Sequence, residues 1–247
     1  MLRHHGSEAL RRGSKLAVLL AHPDYRSGLR AGAPASVEHR TVAFEHDFAC
    51  VLDVGANRGQ FALFAVRRFP DAKLYCFEPF PEARAVLERL LRGRRNVRVY
   101  ELAASVSSAA RELHISGLDH SSSLLDITDR LTGEFPGTAE VNRVTVETAR
   151  LDETLRSGEL IRPTLLKLDV QGFELEALRG AEGLLPHVDE ILVELSFVEF
   201  YAGQPLAGEI VALLDASGFR LAGVFSMMRG RGGECLQADF LFVNRRP

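Results

Sequence analysis

From Ala49 onward, short apolar runs flanked by turn residues alternate with segments of helical periodicity. The runs predict strands and the periodic segments predict helices. The first predicted elements are a strand at 49–53, a helix at 59–69, a strand at 73–78, a helix at 81–91 and a strand at 97–102. Strands that alternate with helices are typical of a parallel sheet with helices packed on both faces.

The alternation is interrupted between residues 109 and 149. Two stretches in which polar and apolar residues alternate, 111–115 and 141–148, predict a strand pair that carries a loop rich in Ser and Asp. We therefore treat about 109–149 as an insertion.

The alternation then resumes. The pattern predicts helices at 152–157, 173–185 and 206–216, and strands at 164–169, 190–194, 219–226 and 236–244. The segment between the last two strands is too short for a crossover helix, so these strands must pair antiparallel. The predicted fold is an α/β, doubly wound, mostly parallel seven-stranded sheet with an antiparallel C-terminal hairpin.

Residues 1–48 lack strand periodicity and are rich in Arg, His, Gly and Ala. Their pattern predicts a helix at 7–22, followed by a loop at 23–36. We expect an N-terminal helical cap or lid over a second unit that comprises 49–247.

Composition narrows the range of partners. The chain has 247 residues, of which 46% are hydrophobic, and a net charge of −3 with both signs interspersed. This balance argues against nucleic acid or an anionic membrane as the partner, and the apolar run 16–21 is far too short to span a bilayer. We expect a cytoplasmic protein that acts on a small molecule or carbohydrate. A homodimer built on the N-terminal helix is a further hypothesis.

The segment Asp53–Gln60 (DVGANRGQ) reads as a strand end, a tight glycine turn and a helix start. Gly55 can adopt positive φ without a Cβ penalty, and Gly59 would let a ligand approach the free N–H groups of the helix. An ordinary strand-to-helix turn is the alternative. The predicted cofactor-binding residues of this turn are Asp53, Gly55, Ala56, Asn57, Gly59 and Gln60.

Glu78 and Pro79 end the next strand, about one βαβ step beyond the glycine turn. An acidic side chain at this place in a doubly wound sheet accepts hydrogen bonds from both ribose hydroxyls. Because Asn57 stands where a dinucleotide-binding protein has its second glycine, a ligand without a pyrophosphate fits better. The predicted cofactor is S-adenosylmethionine.

Four motifs in order resemble the FkbM family of S-adenosylmethionine-dependent methyltransferases. They are DVGANRGQ at 53–60, FEP at 77–79, LDETL at 151–155, and LKLDVQGFE at 166–174 with LRGA at 178–181. The resemblance covers roughly 50–194. It implies a class I, Rossmann-like methyltransferase that acts on a hydroxyl oxygen, in a family whose acceptors include polyketide hydroxyls and sugars of glycolipids or glycans. Gln171 departs from the family, which commonly has Glu there.

Carboxylates follow several predicted strands. Ligands of open α/β sheets bind beyond the carboxyl ends of the strands, so we expect Asp53, Glu78, Asp169 and Glu194 to ring one crevice. Asp169 is the first candidate for a catalytic or substrate-orienting role beside the cofactor, and Glu194 is another catalytic candidate. The alternative for Asp169 is a carboxylate that caps the next helix through the turn at Gly172.

The insertion offers further candidates. His120 could act as a general base, although an exposed loop histidine is the commoner case. Ser121, Ser122 and Ala103 are predicted near the cofactor. A magnesium ion held by Asp169 and Glu194 is an alternative, but neither has the clustered spacing of a metal site, so we predict a metal-independent enzyme.

The sequence leaves two competing functions open. A nicotinamide-dependent oxidoreductase would use the same first βαβ unit, but it predicts a glycine at Asn57 and no terminal hairpin. A cofactor-binding module without catalysis would serve as a partner in a biosynthetic complex, and Gln171 is the feature in its favour. We prefer an O-methyltransferase that acts on a sugar, glycan or polyketide-type hydroxyl.

Overall fold

The computed structural model describes residues 15–246 of the chain. Its strands, in chain order, are β1 Cys50–Val54, β2 Lys73–Phe77, β3 Val97–Tyr100, β4 Ala103–Ala104, β5 Ala109–Ser116, β6 Glu140–Ala149, β7 Thr164–Leu168, β8 Glu190–Ser196, β9 Phe219–Arg229 and β10 Cys235–Asn244. Its helices are α1 at 15–21, α2 Pro23–Arg30, α3 Gln60–Arg68, α4 Pro81–Leu90, α5 Asp129–Glu134, α6 Leu151–Thr154, α7 Glu174–Arg179 and α8 Ala207–Ala216.

Seven strands form the central sheet in the order β3-β2-β1-β7-β8-β10-β9. All neighbouring pairs from β3 to β8 are parallel, and β10 runs antiparallel to both β8 and β9. The predicted doubly wound fold is therefore confirmed. The hairpin does not simply extend the sheet, because the largely buried β10 lies inside it and the largely exposed β9 forms the edge.

Two apolar layers cover the sheet. On one face, Phe64 of α3 packs with Val51 and Leu74. On the other face, Leu178 of α7 and Ile210 of α8 belong to a cluster of buried residues that also includes β1 and β7 side chains. Helices on both faces leave only the strand ends open, and this is where an open α/β sheet builds its ligand sites.

The N-terminal segment packs on the same core. Leu19, Val37 and Phe48 are buried with α3 side chains. Of the predicted helix at 7–22, residues 15–21 are helical, and 7–14 lie outside the described residues. The division into a cap and a second unit stays a prediction.

The predicted loop at 23–36 is wrong over α2. Pro23 occupies the first helical position, where its missing N–H costs nothing. Gly28 faces α3 so closely that a Cβ would lie 2.4 Å from Cδ1 of Leu63. Proline and glycine both usually indicate the end of a helix. Here Pro23 begins the helix, and Gly28 allows it to pack against α3.

The insertion, together with β4 just before it, forms a second, three-stranded sheet in the order β4-β6-β5. β5 and β6 pair antiparallel, which confirms the predicted strand pair. The connection between them carries α5 and a short 3-10 helix, Asp119–Ser121.

Two helices after the insertion are shorter than predicted. α6 ends at Thr154 instead of 157, and α7 spans Glu174–Arg179 instead of 173–185. α7 stops at Gly180, where a Cβ would lie 2.0 Å from the carbonyl oxygen of Ser105, and Asp152 donates its backbone N–H to the Gly180 carbonyl. Tertiary contacts therefore end a helix whose apolar pattern continues. Within 15–246, no helix is both long and apolar enough to cross a membrane.

Candidate active site

The principal cavity, of about 380 Å³, lies beyond the carboxyl ends of β1, β2 and β7. The predicted site residues that line it are Gly55, Ala56, Asn57, Gln60, Glu78, Pro79, Ala103, His120, Ser122 and Asp169. Four other predicted residues do not line it, namely Asp53, Gly59, Ser121 and Glu194. Ten of the predicted residues therefore lie around one cavity, whereas the carboxylates of Asp53 and Glu194 do not line it.

The glycine turn brings the ends of β1 and β7 together. Gly55 has φ 78°, and a Cβ there would lie 1.9 Å from the carbonyl oxygen of Asp169. Asn57 also adopts positive φ, at 46°, and its backbone N–H donates to Oε2 of Glu78 over 2.6 Å. Only glycine fits at residue 55, because the backbone of the neighbouring loop occupies the space of a side chain.

Gly59 lies against α4 and does not line the principal cavity, and its contact with the cofactor stays a prediction. It precedes α3 with φ 94°, and a Cβ there would lie 2.8 Å from Cδ1 of Leu87 in α4. The residue therefore allows the first turn of α3 to lie against α4.

Glu78 is buried with both carboxylate oxygens occupied by the backbone. Oε2 accepts from Asn57 N–H, and Oε1 accepts from Phe80 N–H over 2.8 Å. Burial raises the pKa of Glu78 to about 7, against the opposing effect of these two N–H groups. Each oxygen can accept a second hydrogen bond, so the side chain can bind a hydroxyl pair in the cavity.

Asp53 lies behind the glycine turn, fully buried, and not in the crevice where we predicted it. Its Oδ1 lies 3.3 Å from Nζ of Lys167, which is itself 6% exposed and 3.5 Å from Oδ2 of Asp169. Burial alone would lower the pKa of Lys167, but the carboxylates of Asp53 and Asp169 outweigh it and raise the pKa. Lys167 was missed, although a lysine between two leucines of a buried strand signals a buried ion pair.

Gln171 connects two of the predicted carboxylates. Its Nε2 donates to Oδ1 of Asp169 over 2.7 Å and to Oε2 of Glu194 over 3.2 Å. The hydroxyl of Tyr201 lies 2.7 Å from Oε1 of Gln171. The amide therefore holds Asp169 in place at the cavity wall, with 38% of its side chain exposed.

Glu174, and not Asp169, caps the turn before α7. Its Oε1 accepts from the backbone N–H groups of Val170, over 3.3 Å, and Gly172, over 3.1 Å. Burial raises the pKa of Glu174 to about 7. This leaves Asp169 available to a ligand.

The four predicted carboxylates do not ring one crevice. Glu78 and Asp169 line the principal cavity, whereas Glu194 lines a smaller, adjacent cavity of about 220 Å³. Burial, followed by the charges of Asp169 and Asp239, raises the pKa of Glu194 well above its usual range.

The three candidate residues at 120–122 differ in their position relative to the principal cavity. His120 is exposed at the rim of the principal cavity. Ser122 lines the cavity and its Oγ accepts from the backbone N–H of Ser116 over 3.1 Å. Ser121 is buried outside the lining, where its carbonyl oxygen lies 3.0 Å from the hydroxyl of Tyr201. The prediction that Ser121 contacts the cofactor therefore has no support in the structure.

His39, which the sequence did not single out, lines both cavities. It lies in the 3-10 helix Val37–Thr41, with Nδ1 3.1 Å from the carbonyl oxygen of Ser36. A carbonyl only accepts, so Nδ1 carries the proton. Its Nε2 lies 3.6 Å from Oδ2 of Asp239. No motif in residues 1–48 indicates that His39 lies beside the two cavities.

One group of possible metal ligands, His114, Asp126 and Glu140, lies in the insertion. The guanidinium of Arg143 already pairs with Glu140 over 2.6 Å and lies 3.9 Å from Asp126. We interpret this group as an ion-pair network that joins β5 and β6. Metal independence stays a prediction.

Known proteins similar to this chain identify its family. Residues 53–221 match the Methyltransferase FkbM domain. The chain is 27% identical over 235 residues to the 2-O-methyltransferase NoeI of Sinorhizobium fredii, covering 92% of this chain and 95% of that protein. It is 30% identical to the 31-O-demethyl-FK506 methyltransferase FkbM of Streptomyces tacrolimicus, over 68% of this chain and 72% of that protein.

A solved structure supports the fold. The methyltransferase FkbM of Methylobacillus flagellatus superposes with a TM-score of 0.52 at 14% identity, covering 82% of this chain and 46% of that chain. The order of the central sheet, the glycine turn beside Asp169 and the match over most of the chain lead to the same conclusion. The chain belongs to the FkbM family of methyltransferases.

Proposed function

We propose that this methyltransferase uses S-adenosylmethionine to methylate a hydroxyl oxygen of a sugar, glycan or polyketide-type acceptor. The observation that carries the proposal is the principal cavity, which extends from the glycine turn past Glu78 to Asp169. Its volume of about 380 Å³ lies within the range of small-molecule sites.

The polar atoms of the cavity fit this cofactor. Glu78 presents a carboxylate to a ribose hydroxyl pair. Gln60 lines the cavity, and its Oε1 is buried without a hydrogen-bond partner among the described residues. An unpaired buried acceptor is costly, and an ammonium group such as that of the methionine moiety would satisfy it.

Methyl transfer from an activated donor requires the protein only to align the acceptor oxygen and to remove its proton. S-adenosylmethionine, when bound, supplies a methyl group that is already activated on a sulfonium. Asp169 is placed to accept the proton of the acceptor hydroxyl as the oxygen forms its bond to the methyl carbon, while Gln171 and Lys167 fix the carboxylate. A cytoplasmic protein that acts as a homodimer remains part of the proposal.

The first test is calorimetric titration with S-adenosylmethionine and, separately, with NAD. Wild type should bind S-adenosylmethionine, and Glu78→Gln should bind it at least about tenfold more weakly, because a loss of hydrogen bonds to a hydroxyl pair is worth that much. Glu82→Gln, on the exposed side of α4, is the matched control. Binding of NAD alone would overturn the proposal.

Transfer is tested with S-adenosylmethionine labelled in its methyl group and a panel of glycosides and polyketide alcohols. Asp169→Asn should retain cofactor binding and lose transfer. If the wild type binds the cofactor and transfers no label to any acceptor, the protein is better explained as a binding module without catalysis.

A further inference from the structure

The smaller cavity, of about 220 Å³, has no assigned role. It shares Ser36, Glu38, His39, Lys167 and Asp169 with the principal cavity. Asp169 therefore stands at the junction of the two cavities. A ligand bound in the smaller cavity would therefore contact, at this junction, a ligand bound in the principal cavity.

Carboxylates dominate the polar part of its lining. Glu194 and Asp239 are register partners on the neighbouring strands β8 and β10, so their side chains lie on the same face, next to Asp169. The charge of Lys167 is shared between Asp53 and Asp169. The lining therefore presents more carboxyl groups than cationic groups.

A second observation points to a ligand. His39 lines the cavity and is only 8% exposed, and the nearest recorded partner of its Nε2 among residues 15–246 is the carboxylate of Asp239, at the long distance of 3.6 Å. Buried polar atoms are normally hydrogen-bonded. A ligand with two neighbouring hydroxyl groups could donate one hydrogen bond to Asp239 and another to Nε2 of His39.

Apolar side chains complete the lining, namely Leu168, Leu192 and Met228. A sugar ring has the matching character, with hydroxyl groups at its edge and C–H groups on its faces. An anionic ring would bring a further carboxylate next to Asp169, Glu194 and Asp239, where the charges of Asp169 and Asp239 already raise the pKa of Glu194, and like charges that cannot separate are strongly unfavourable.

We propose that the smaller cavity is the acceptor subsite and that it takes a neutral sugar ring, to the exclusion of a uronic acid. This inference rests on the proposed function and narrows its acceptor class. The carboxylates of Asp169 and Asp239 accept hydrogen bonds from ring hydroxyls, and Met228 contacts a ring face.

Met228 provides a direct test of occupancy. The chain has three methionines, and Met227, which does not line the cavity, is an internal reference next to it. Protein labelled with ¹³C at the methionine methyl groups is titrated with a neutral methyl hexoside, the matching methyl hexuronide and a cyclohexanol. Each titration is run with and without S-adenosylhomocysteine, and the resonances are assigned with Met227→Leu and Met228→Leu.

The hexoside should shift the Met228 resonance and leave Met227 unchanged, at concentrations at least about tenfold lower than the hexuronide requires. In Asp239→Asn, the hexuronide should approach the hexoside in affinity, whereas Asp215→Asn, an exposed carboxylate on α8, should retain the discrimination. A loss of fold in Asp239→Asn would leave the wild-type comparison decisive.

The inference is overturned if Met228 does not respond to the hexoside, if the hexuronide binds as well, or if cyclohexanol binds more tightly than the sugar. The titrations without S-adenosylhomocysteine keep this outcome separate from a failure of the proposed function. If S-adenosylhomocysteine itself does not bind, the proposed cofactor is wrong, and the response of Met228 still decides whether the cavity takes a neutral sugar.

Discussion

The ammonium of Lys167 lies 3.3 Å from the carboxylate of Asp53 in the centre of the sheet, where both side chains are almost completely shielded from water. Neither oxygen of Asp53 has a hydrogen-bond partner among the described residues. The ion pair is therefore the main compensation for a charge buried under the glycine turn.

Replacing Lys167 with Met should lower the free energy of unfolding by about 3–5 kcal/mol, because it leaves Asp53 buried without a counter-charge. Urea denaturation measures this loss. Lys73→Met, at an exposed strand position, is the matched control and should change stability by less than about 0.5 kcal/mol. If the double variant Asp53→Leu/Lys167→Met is not more stable than Lys167→Met alone, the ion pair is not the cause.

Gly55→Ala should be far more damaging than Gly93→Ala. Both residues have positive φ, at 78° and 84°, so both variants incur the same backbone strain of about 1–2 kcal/mol. Only at Gly55 does the new Cβ meet backbone, 1.9 Å from the Asp169 carbonyl oxygen, whereas at Gly93 nothing lies within 4 Å. We expect Gly55→Ala to cost at least about 2 kcal/mol more in unfolding experiments.

Cofactor affinity separates this prediction from a general loss of stability. Moving the ends of β1 and β7 apart displaces Asn57 and Asp169 together, so Gly55→Ala should also weaken binding of S-adenosylmethionine. Equal losses of stability and affinity in the two glycine variants would contradict the role assigned to the close approach.

The sheet could be predicted from the sequence because its central strands are continuous apolar runs between turn residues. A continuous apolar run does not show, however, on which face of the sheet a given side chain lies. β1 is buried at every position, so no alternation shows that Asp53 faces Lys167 and not the crevice. Glu78 and Asp169 line the principal cavity, as expected of residues that directly follow their strands at the open edge of the sheet.

The rest of the site depends on contacts distant in sequence. His39 and Asp239 are 3.6 Å apart and come from opposite ends of the chain. Gly28 favours a loop by composition, yet it lies within α2, where the absence of a side chain allows Leu63 to approach closely. Neither contact produces a recognisable pattern in the local sequence.

Glu174 should make the protein less stable as the pH rises. Its pKa is raised from 4.5 to about 7 in the folded state by burial, so the folded protein holds a proton that the unfolded chain has lost. The stabilisation is complete below the unfolded value and is lost as the pH rises through the folded value. This rise in the pKa corresponds to a change of about 3 kcal/mol in the free energy of unfolding.

Glu174→Gln retains an oxygen for the N–H groups of Val170 and Gly172 but does not titrate. Its free energy of unfolding should therefore depend less on pH than that of wild type between roughly pH 5 and roughly pH 8. Glu176→Gln, on the same helix and one-third exposed, is the control and should retain the wild-type slope. Identical slopes for all three proteins would show that Glu174 titrates normally.

Gln171 holds Asp169 and Glu194 through its amide N–H groups, and Gln171→Glu would replace this donor with a third carboxylate. We expect the variant to lose about 2–3 kcal/mol of stability at neutral pH, since both hydrogen bonds that the amide donates are lost and a new carboxylate faces that of Asp169. Acid should restore stability, because repulsion raises the pKa of the group and the protonated form can donate again. Tyr201→Phe, which removes the hydroxyl that contacts Oε1 of Gln171 and the carbonyl oxygen of Ser121, should cost about 1 kcal/mol without this pH dependence. Urea denaturation of both variants across pH measures the difference, and a Gln171→Glu protein as stable as wild type at neutral pH would mean that the carboxylates separate or share a proton.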